Sequence, residues 1–394
     1  MQKKIIIIGA GASGLMAAIC AAEAGADVTI LEQNDAPGRK ILSTGNGRCN
    51  LTNTDQSADH YRGSDPGFAL GALTRFSQQD TVRFFSRIGV YTVNRGGWLY
   101  PRSAQASQVR DLLVMEAKSK GVRIRCRTGV KEVTRGRRGG FDVHVEGYSY
   151  HCDSLILANG SRASVPEEAG CSGYRIAASF GHRIVEPLPA LVPLVAREKY
   201  GWHGVRTEGK AVLFVDSFHT AESSGELQLT SYGISGIPIF EISRYAARAL
   251  AEQKSVSLEI DFFPDFDLEG LRHFFEGRSI ACPFKNTPEL MCGLFPDKLI
   301  QVFSRFRDPL PAIKCFPLTV IGTKGFDQAQ VCSGGVSTME VNPFTMESRI
   351  CRNLYFAGEI LDIDGTCGGY NLQWAWSSGA SAGKSAAEAS QEAS

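Results

Sequence analysis

The chain has 394 residues, and its 42 lysines and arginines against 41 aspartates and glutamates give a formal charge of +1. Such a balance provides no overall field that favours nucleic acid or an anionic membrane, and the length predicts two or three domains. The eleven cysteines include no CxxC pair, and no apolar run is long enough to cross a bilayer. These observations predict a cytoplasmic protein with reduced thiols.

The N-terminus carries the pattern of a strand, a helix and a second strand. Lys3 to Gly9 is a short apolar run rich in isoleucine, and Ala12 to Gly25 is an alanine-rich segment with a glycine placed to stop a helix. A second apolar run, Val28 to Leu31, ends at Glu32. The pattern predicts a β-α-β unit with two buried, parallel strands.

The turn between the first strand and the helix reads Gly9-Ala10-Gly11-Ala12-Ser13-Gly14, a complete GxGxxG. In such a turn the first glycine permits the tight bend, the second lets a pyrophosphate approach the backbone, and the third lets helix and strand pack closely. Glu32 stands where a carboxylate accepts hydrogen bonds from a ribose hydroxyl. The context favours dinucleotide binding over a merely structural glycine turn, and the acid favours FAD or NAD over NADP.

Two later segments are predicted to extend the same sheet. Phe141 to Val145 alternates apolar and polar residues as in a hairpin, and the apolar run Ser154 to Ala158 then enters Asn159-Gly160. A further strand through Phe356 and Ala357 leads into Gly358-Glu359, a glycine-rich loop and a helix. The sequence therefore predicts one sheet built from two distant parts of the chain.

An insertion interrupts this sheet. The proline-rich stretches Glu186 to Leu194 and Asp308 to Leu318 mark where the chain is expected to leave the sheet and return. Strand-like and then amphipathic segments lie between them: Leu191–Val195, Ala211–Val215, Leu227–Thr230, Val256–Phe263, Leu268–Phe275 and Pro288–Phe306. They predict a barrel with a helical appendage that forms a lid over the cofactor.

Four long motifs resemble a known family. The stretches "GRKILSTGNGRCNLTN", "ELQLTSYGISG", "GGVSTMEVNPFTMESR" and "LYFAGEILDIDGTCGGYNLQWAWSSG" are similar to the aminoacetone-oxidase-like bacterial flavoproteins, which are FAD-dependent oxidoreductases and include a member named for bile-acid metabolism. The resemblance implies an α/β fold, with a discontinuous FAD-binding Rossmann domain of the glutathione-reductase type, an inserted β-barrel-like domain and a small helical subdomain. The expected limits are 1–190 and 318–394 for the FAD domain, 191–262 and 307–317 for the barrel, and 263–306 for the helices.

The polar loop Gly45–Asn50 suits neither a helix nor a strand. The resemblance places it, with Arg39 and Lys40, along the FAD pyrophosphate and toward the isoalloxazine ring, where Arg48 and Asn50 are the preferred hydrogen-bond donors. The alternative is an ordinary solvent loop whose asparagines make turns. Asn46 stands where the family leads us to expect glycine or serine. The lone Cys49 is interpreted as a small packed side chain rather than a redox group.

The resemblance implies noncovalent FAD as the cofactor. No catalytic residue is assigned; Tyr232 and Tyr370 are the candidates because their glycine-rich loops are expected to face the ring, although Tyr370 suits core packing equally well. The histidines lack ligand spacing, so no metal site is predicted. The expected cofactor-binding residues are Gly9, Gly11, Ala12, Ser13, Gly14, Glu32, Gln33, Arg39, Lys40, Gly45, Gly47, Arg48, Cys49, Asn50, Val130, Ala158, Gly160, Gly358, Glu359, Asp364, Gly369, Tyr370, Asn371 and Leu372.

Two functions are open at this point. The first is an FAD-dependent oxidase or reductase that acts on a small metabolite, such as an amine or an unsaturated carbonyl compound, by hydride transfer at the flavin. The second is a flavoprotein that acts on a macromolecule such as RNA, or that transfers electrons with a protein. The neutral charge and the insertion favour the first, with neither nucleic acid nor membrane as partner. The chain carries no second strand-GxGxxG-helix unit, so NAD(P)H is expected to serve, if at all, as a transient donor; the oligomeric state is open.

Overall fold

The computed structural model describes residues 2–137, 139–164 and 172–389. The chain divides into two compact units, each with its own hydrophobic core. The first unit combines two segments, Met1–Pro187 and Val331–Ser394, and the second is the continuous segment Leu188–Gln330. Among the described residues, no helix is both apolar enough and long enough to span a membrane.

The secondary structure alternates between strands and helices along the chain. The strands are β1 (Lys4–Ile8), β2 (Asp27–Leu31), β3 (Thr52–Asn53), β4 (Tyr61–Gly63), β5 (Thr92–Arg95), β6 (Trp98–Pro101), β7 (Arg123–Arg125), β8 (Glu132–Arg135), β9 (Phe141–Val145), β10 (Tyr148–Cys152), β11 (Ser154–Leu157), β12 (Ile184–Ala190), β13 (Leu194–Ala196), β14 (Val205–Val215), β15 (Phe218–Leu229), β16 (Gly233–Gly236), β17 (Val256–Asp261), β18 (Phe316–Thr323), β19 (Val331–Val336), β20 (Leu354–Phe356) and β21 (Ile363–Gly365). The α-helices are α1 (Ala12–Glu23), α2 (Phe68–Arg75), α3 (Gln78–Arg87), α4 (Ala106–Ser119), α5 (Ser172–Ser179), α6 (Ile237–Ala251), α7 (Leu268–Ala281), α8 (Thr287–Met291), α9 (Asp297–Phe303), α10 (Leu310–Lys314) and α11 (Tyr370–Glu388).

The first unit is built on a parallel sheet of five strands in the order β20-β11-β1-β2-β7. Ile5–Ile8 pairs with Ser154–Leu157 on one side and with Val28–Leu31 on the other. These strands are buried along nearly their whole length, as their continuous apolar sequences require in a sheet covered on both faces. The prediction of a β-α-β unit in a sheet formed by distant chain segments is confirmed.

Helices α1 and α11 pack side by side and run in the same direction. A Cβ added at Gly379 would lie 2.5 Å from the carbonyl oxygen of Ser13, and one added at Gly383 would lie 2.2 Å from that of Ala17. The two contacts advance together along both helices, so the helices are parallel. From this register, α11 begins about eight residues before α1, which places its first turn roughly 12 Å beyond the N-terminal end of α1.

The second unit contains a closed barrel of six antiparallel strands in the order β13-β16-β15-β14-β17-β18, and β13 pairs with β18 to close it. Its interior is filled by strand residues such as Leu213, Leu227 and Leu258, each fully buried. Helices α6 to α10 contribute to the same core. The predicted barrel-like insertion with associated helices is confirmed.

One expected boundary differs from the structure. The return to the first domain was expected at residue 318, but β18 continues within the barrel to Thr323, and the second segment of the first unit begins at Val331. The proline-rich stretch before it forms the short helix α10 rather than a linker. The helical segment is also interrupted, because Gly293 has a left-handed φ of 83° and Pro296 precedes α9.

Candidate functional site

The five parallel strands bring their carboxyl ends to one edge of the sheet, and several predicted site residues follow them there. Gly9 comes directly after β1, Glu32 after β2, and Gly358 shortly after β20. Ala158 and Gly160 follow β11, the neighbour of β1. The carboxyl edge of a parallel sheet is where nucleotide ligands bind in open α/β folds. The sheet therefore gathers residues separated by more than three hundred positions into one candidate site.

The glycines of the GxGxxG turn have different roles. Gly9 has a φ of 105°, and a Cβ there would lie 2.4 Å from the carbonyl oxygen of Ala158. A Cβ at Gly14 would lie 2.0 Å from the carbonyl oxygen of Gly9, so both residues are required by the fold itself. A Cβ at Gly11 would meet no protein atom within 4 Å. Gly11 therefore lies against open space at the N-terminus of α1, as a bound pyrophosphate requires.

Glu32 is buried beside this turn and is only partly satisfied by the protein. Its Oε2 accepts a hydrogen bond from the Ala10 amide at 2.8 Å, and its Oε1 accepts from the backbone and side-chain amides of Asn34 at 2.8 and 2.7 Å. A carboxylate offers about four acceptor positions, so it retains capacity for a ribose hydroxyl. Nearby, Gln33 is exposed and Val130 is buried.

Lys40 and Glu359 form an ion pair at the same edge of the sheet. Lys40 Nζ lies 3.5 Å from Glu359 Oε2 and donates to the carbonyl oxygen of Ser161 at 3.3 Å. The other carboxylate oxygen, Oε1, accepts from the Cys332 amide at 3.0 Å. Arg39 does not join this ion pair; its Nη1 lies 3.5 Å from Oδ1 of Asn34, the residue that donates to Glu32. The ion pair joins two motifs that lie 319 positions apart in the chain.

The loop Gly45–Asn50 depends on left-handed backbone conformations. Besides its two glycines, Asn46 and Cys49 have φ values of 54° and 59°. Asparagine tolerates this region better than other side chains, which explains its presence at position 46. Burial raises the pKa of the Cys49 thiol to about 12. Cys49 is therefore a protonated, packed side chain at neutral pH, while Arg48 is exposed.

Asn50 carries a buried polar atom without a protein partner. Its Oδ1 has no hydrogen bond, although only 6 % of the residue is exposed. A Cβ added at Gly369, the residue before α11, would lie 3.0 Å from this oxygen. Buried acceptors without partners are rare and cost about 1–3 kcal/mol. Asn50 thus presents an unpartnered amide oxygen beside the start of α11, and a ligand group that meets this oxygen must donate.

We expect Asn50→Ala to weaken FAD retention about tenfold, the loss of one hydrogen bond of roughly 1.4 kcal/mol. The free energy of unfolding of the flavin-free protein should hardly fall, because Oδ1 stabilises no protein group. Asn53→Ala is the matched control, since Asn53 Nδ2 donates to the Gly368 carbonyl oxygen at 3.0 Å and its loss should lower that stability. Flavin release and denaturation curves of both variants provide the measurement. A large stability loss in Asn50→Ala with unchanged flavin retention would contradict this role.

The loop before α11 is fixed by its own residues. Asn371 Oδ1 accepts from the Gly365 amide at 2.7 Å, and its Nδ2 donates to the Gly365 carbonyl oxygen at 2.8 Å. Tyr370 is buried and stacks on His60 with ring centres 4.1 Å apart, while Tyr61 meets it edge-on at 5.9 Å. Both side chains are thus engaged in packing and loop closure. Two further predicted residues, Asp364 and Leu372, are buried in the adjoining strand and helix.

The second tyrosine candidate belongs to the second unit. Tyr232 is half-buried, and Lys324 Nζ lies 4.8 Å from the centre of its ring. Its carbonyl oxygen accepts from the Ala196 amide at 3.0 Å and from Lys199 Nζ at 2.8 Å. The two candidates therefore differ in environment: one is enclosed among aromatic rings, and the other is a partly accessible phenol beside an ammonium group.

Helix α11 contributes polar side chains that the sequence analysis missed. Trp374 Nε1 donates to the Gly358 carbonyl oxygen at 3.1 Å, and Ser378 Oγ accepts from the Gly358 amide at 2.9 Å. Trp376 Nε1 donates to the Leu51 carbonyl oxygen at 3.0 Å. Helix α11 thus hydrogen-bonds to Gly358 and to Leu51, the residue that follows the Gly45–Asn50 loop. The available signal was the presence of indole and hydroxyl donors in an otherwise small and apolar helix.

The sequence of this chain is similar to those of known proteins. The family described as "HI0933-like protein Rossmann domain" matches residues 3–385. The chain belongs to this family. Among its relatives, the 3-dehydro-bile acid delta(4,6)-reductase of Clostridium scindens is 44% identical, and the match covers 98% of this chain and 100% of that protein. The ribosomal RNA dihydrouridine synthase of Escherichia coli is 32% identical over 95% of both chains.

One solved structure has the same fold as this chain. The open conformation of a flavocytochrome c3 fumarate reductase superposes with a TM-score of 0.50 at 16% identity, and the match covers 98% of this chain and 78% of that one. The match to this Rossmann-domain family and the full-length similarity to a reductase identify the chain as an oxidoreductase. The predicted family resemblance, fold class and enzyme class are confirmed.

Proposed function

We propose that this protein reduces a carbon–carbon double bond conjugated with a carbonyl group in a small hydrophobic metabolite. The observation that carries the proposal is the end-to-end similarity to a bile acid delta(4,6)-reductase at 44% identity. The dihydrouridine synthases are named for another molecule, but the bond reduced to give dihydrouridine is likewise conjugated with a carbonyl group. The shared bond type favours an unsaturated carbonyl compound over an amine.

The site residues fit noncovalent FAD on two observations, the open space at Gly11 and the unpartnered acceptor of Asn50. The amides that open α1 would bind the pyrophosphate, and Glu32 would bind the ribose of the adenosine. The parallel helix α11 begins roughly 12 Å beyond the N-terminal end of α1, so its first amides and Asn50 would meet the polar edge of the ring system. When bound, FAD supplies the hydride chemistry.

The reaction also requires a proton, and the two candidate tyrosines differ in their ability to deliver one. Tyr232 is half-buried, and the Lys324 ammonium group lies 4.8 Å from its ring centre. Tyr370 is enclosed by His60 and Tyr61. We therefore retain Tyr232 as the candidate proton donor and assign Tyr370 a packing role.

The test is anaerobic mixing of the purified protein with candidate substrates. After reduction of the flavin by dithionite, a 3-oxo-4-ene steroid should restore the oxidised spectrum and gain two hydrogens by mass spectrometry. Amines should not bleach the oxidised flavin. In a further arm, NADH and NADPH should reduce the flavin with weak saturation and little discrimination, since the sequence carries no second strand-GxGxxG-helix unit. Bleaching by amines, with no reaction of enones, would overturn the proposal.

A second candidate substrate is uridine in RNA, and the full-length similarity to ribosomal RNA dihydrouridine synthases favours it. Against it stand their lower identities of 31% and 32% and the formal charge of +1, which gives no general attraction for RNA phosphates. Dihydrouridine formation in unmodified ribosomal RNA by the reduced protein, without turnover of enones, would establish this alternative.

A further inference from the structure

The β5–β6 hairpin presents an aromatic pair beside the candidate cofactor site. Trp98 and Tyr100 are two residues apart on β6, so their side chains leave the sheet on the same face, and both are only half-buried. A Cβ added at Gly45 would lie 3.3 Å from Tyr100 Cε1, and one at Gly368 would lie 3.5 Å from Trp98 Cε2. The pair therefore lies against both the polar loop and the loop that leads into α11.

Two guanidinium groups adjoin this aromatic pair. Arg95 is the register partner of Trp98 across the hairpin, and its guanidinium carbon lies 5.5 Å from the ring centre of Tyr100. Burial raises the pKa of Tyr100, and the positive charges of Arg48 and Arg95 oppose that rise. Among the described residues, neither arginine has a carboxylate at ion-pair distance.

This combination has a definite binding chemistry. Two partly exposed aromatic faces offer apolar surface to a ring system, and an unneutralised guanidinium offers paired donors to a carboxylate. Some other arginines of the first unit are paired, as Arg123 is with Asp27 and Arg87 with Glu23. Arg95 is thus a cation that the fold itself does not neutralise, placed beside the loops of the cofactor site.

We propose that Trp98, Tyr100 and Arg95 form a substrate subsite, which binds an apolar ring system against the two aromatic faces and a carboxylate against the guanidinium. This inference rests on the proposed function and specifies its substrate class as an unsaturated carbonyl compound that also carries a carboxylate. The subsite is a specificity determinant and takes no part in hydride transfer.

The test is equilibrium binding to the flavin-loaded protein, measured by calorimetry and by perturbation of the flavin spectrum. The probes are a 3-oxo-4-ene steroid with a side-chain carboxylate and the methyl ester of the same compound. We expect the wild-type protein to bind the acid at least tenfold more tightly than the ester. Arg95→Ala should remove this preference, Arg95→Lys should retain part of it, and neither should change the flavin content. Trp98→Ala should weaken both ligands about tenfold.

Arg244→Ala is the matched control, because its guanidinium also lies 5.5 Å from a tyrosine ring, that of Tyr245, but in the second unit on helix α6. It should leave both dissociation constants unchanged. In Arg95→Ala, either a persistent preference for the acid or an equal loss of affinity for both probes would overturn the subsite. Failure of the wild-type protein to bind either probe would also overturn it. Binding needs no turnover, so an acid preference without enone reduction would leave the subsite standing and refute the proposed reaction. Reduction of enones without a preference for the acid would refute the subsite and leave the proposed reaction standing.

Discussion

Replacing Gly11 with valine is expected to lower FAD affinity at least 100-fold, which corresponds to about 2.8 kcal/mol. The reason is local: a side chain at Gly11 meets no protein atom within 4 Å, so it extends into the space above the first amides of α1. A pyrophosphate bound to those amides would overlap the two valine methyl groups. The folded protein should accommodate the change, so the effect should be confined to the cofactor.

The measurement is the ratio of flavin to protein after purification, followed by titration of the flavin-free protein with FAD. Gly322→Val is the matched control, because a Cβ at Gly322 also meets nothing within 4 Å and the residue lies in strand β18 of the barrel. It should retain normal flavin content. Full flavin occupancy in Gly11→Val would refute the assignment of this turn to the pyrophosphate.

Gly383→Ala is expected to lower the free energy of unfolding by roughly 2 to 3 kcal/mol, although alanine is the better helix former. The added Cβ would lie 2.2 Å from the carbonyl oxygen of Ala17 and 2.9 Å from its carbonyl carbon. These are backbone atoms of α1 and cannot rotate aside. The two helices must therefore separate, which also displaces the start of α11 from the start of α1 and should loosen the cofactor.

Gly277→Ala provides a control with the opposite sign. Gly277 lies within α7, where an added Cβ meets nothing within 4 Å, so alanine should stabilise by about 0.5–1 kcal/mol. Denaturant midpoints of the two variants and of the wild-type protein provide the comparison. Equal shifts of the same sign would show that the close approach of α1 and α11 contributes nothing to stability.

The parts of the fold that could be predicted depend on neighbouring residues. The spacing from Gly9 to Gly14, the apolar run before it and the acid at position 32 are local signals, and they correctly predicted a strand, turn, helix and strand. The later apolar runs through Ser154–Ala158 and Phe356 could be assigned to the same sheet because buried parallel strands have little freedom in composition. Fold and family therefore followed from sequence patterns.

The details of the site depend on contacts between distant residues, which no local pattern encodes. The ion pair of Lys40 and Glu359 spans 319 positions. The unpartnered state of Asn50 Oδ1 follows from what surrounds it rather than from the loop itself. Equally, the glycine-rich context of Tyr370 suggested a role at the ring, whereas His60 and Tyr61 enclose its side chain. Roles of the cofactor residues remain predictions for the experiments described above.

The division of the first unit into two segments has a consequence for the order of folding during synthesis. The second unit is continuous, from Leu188 to Gln330, so the nascent chain contains every strand of the barrel before β20 and α11 leave the ribosome. Until then, β11 has no partner on one side, and the face of α1 that packs against α11 is uncovered. An open strand edge and an uncovered apolar surface favour aggregation. The newly made protein should therefore be most dependent on chaperones in the interval between completion of the barrel and emergence of α11.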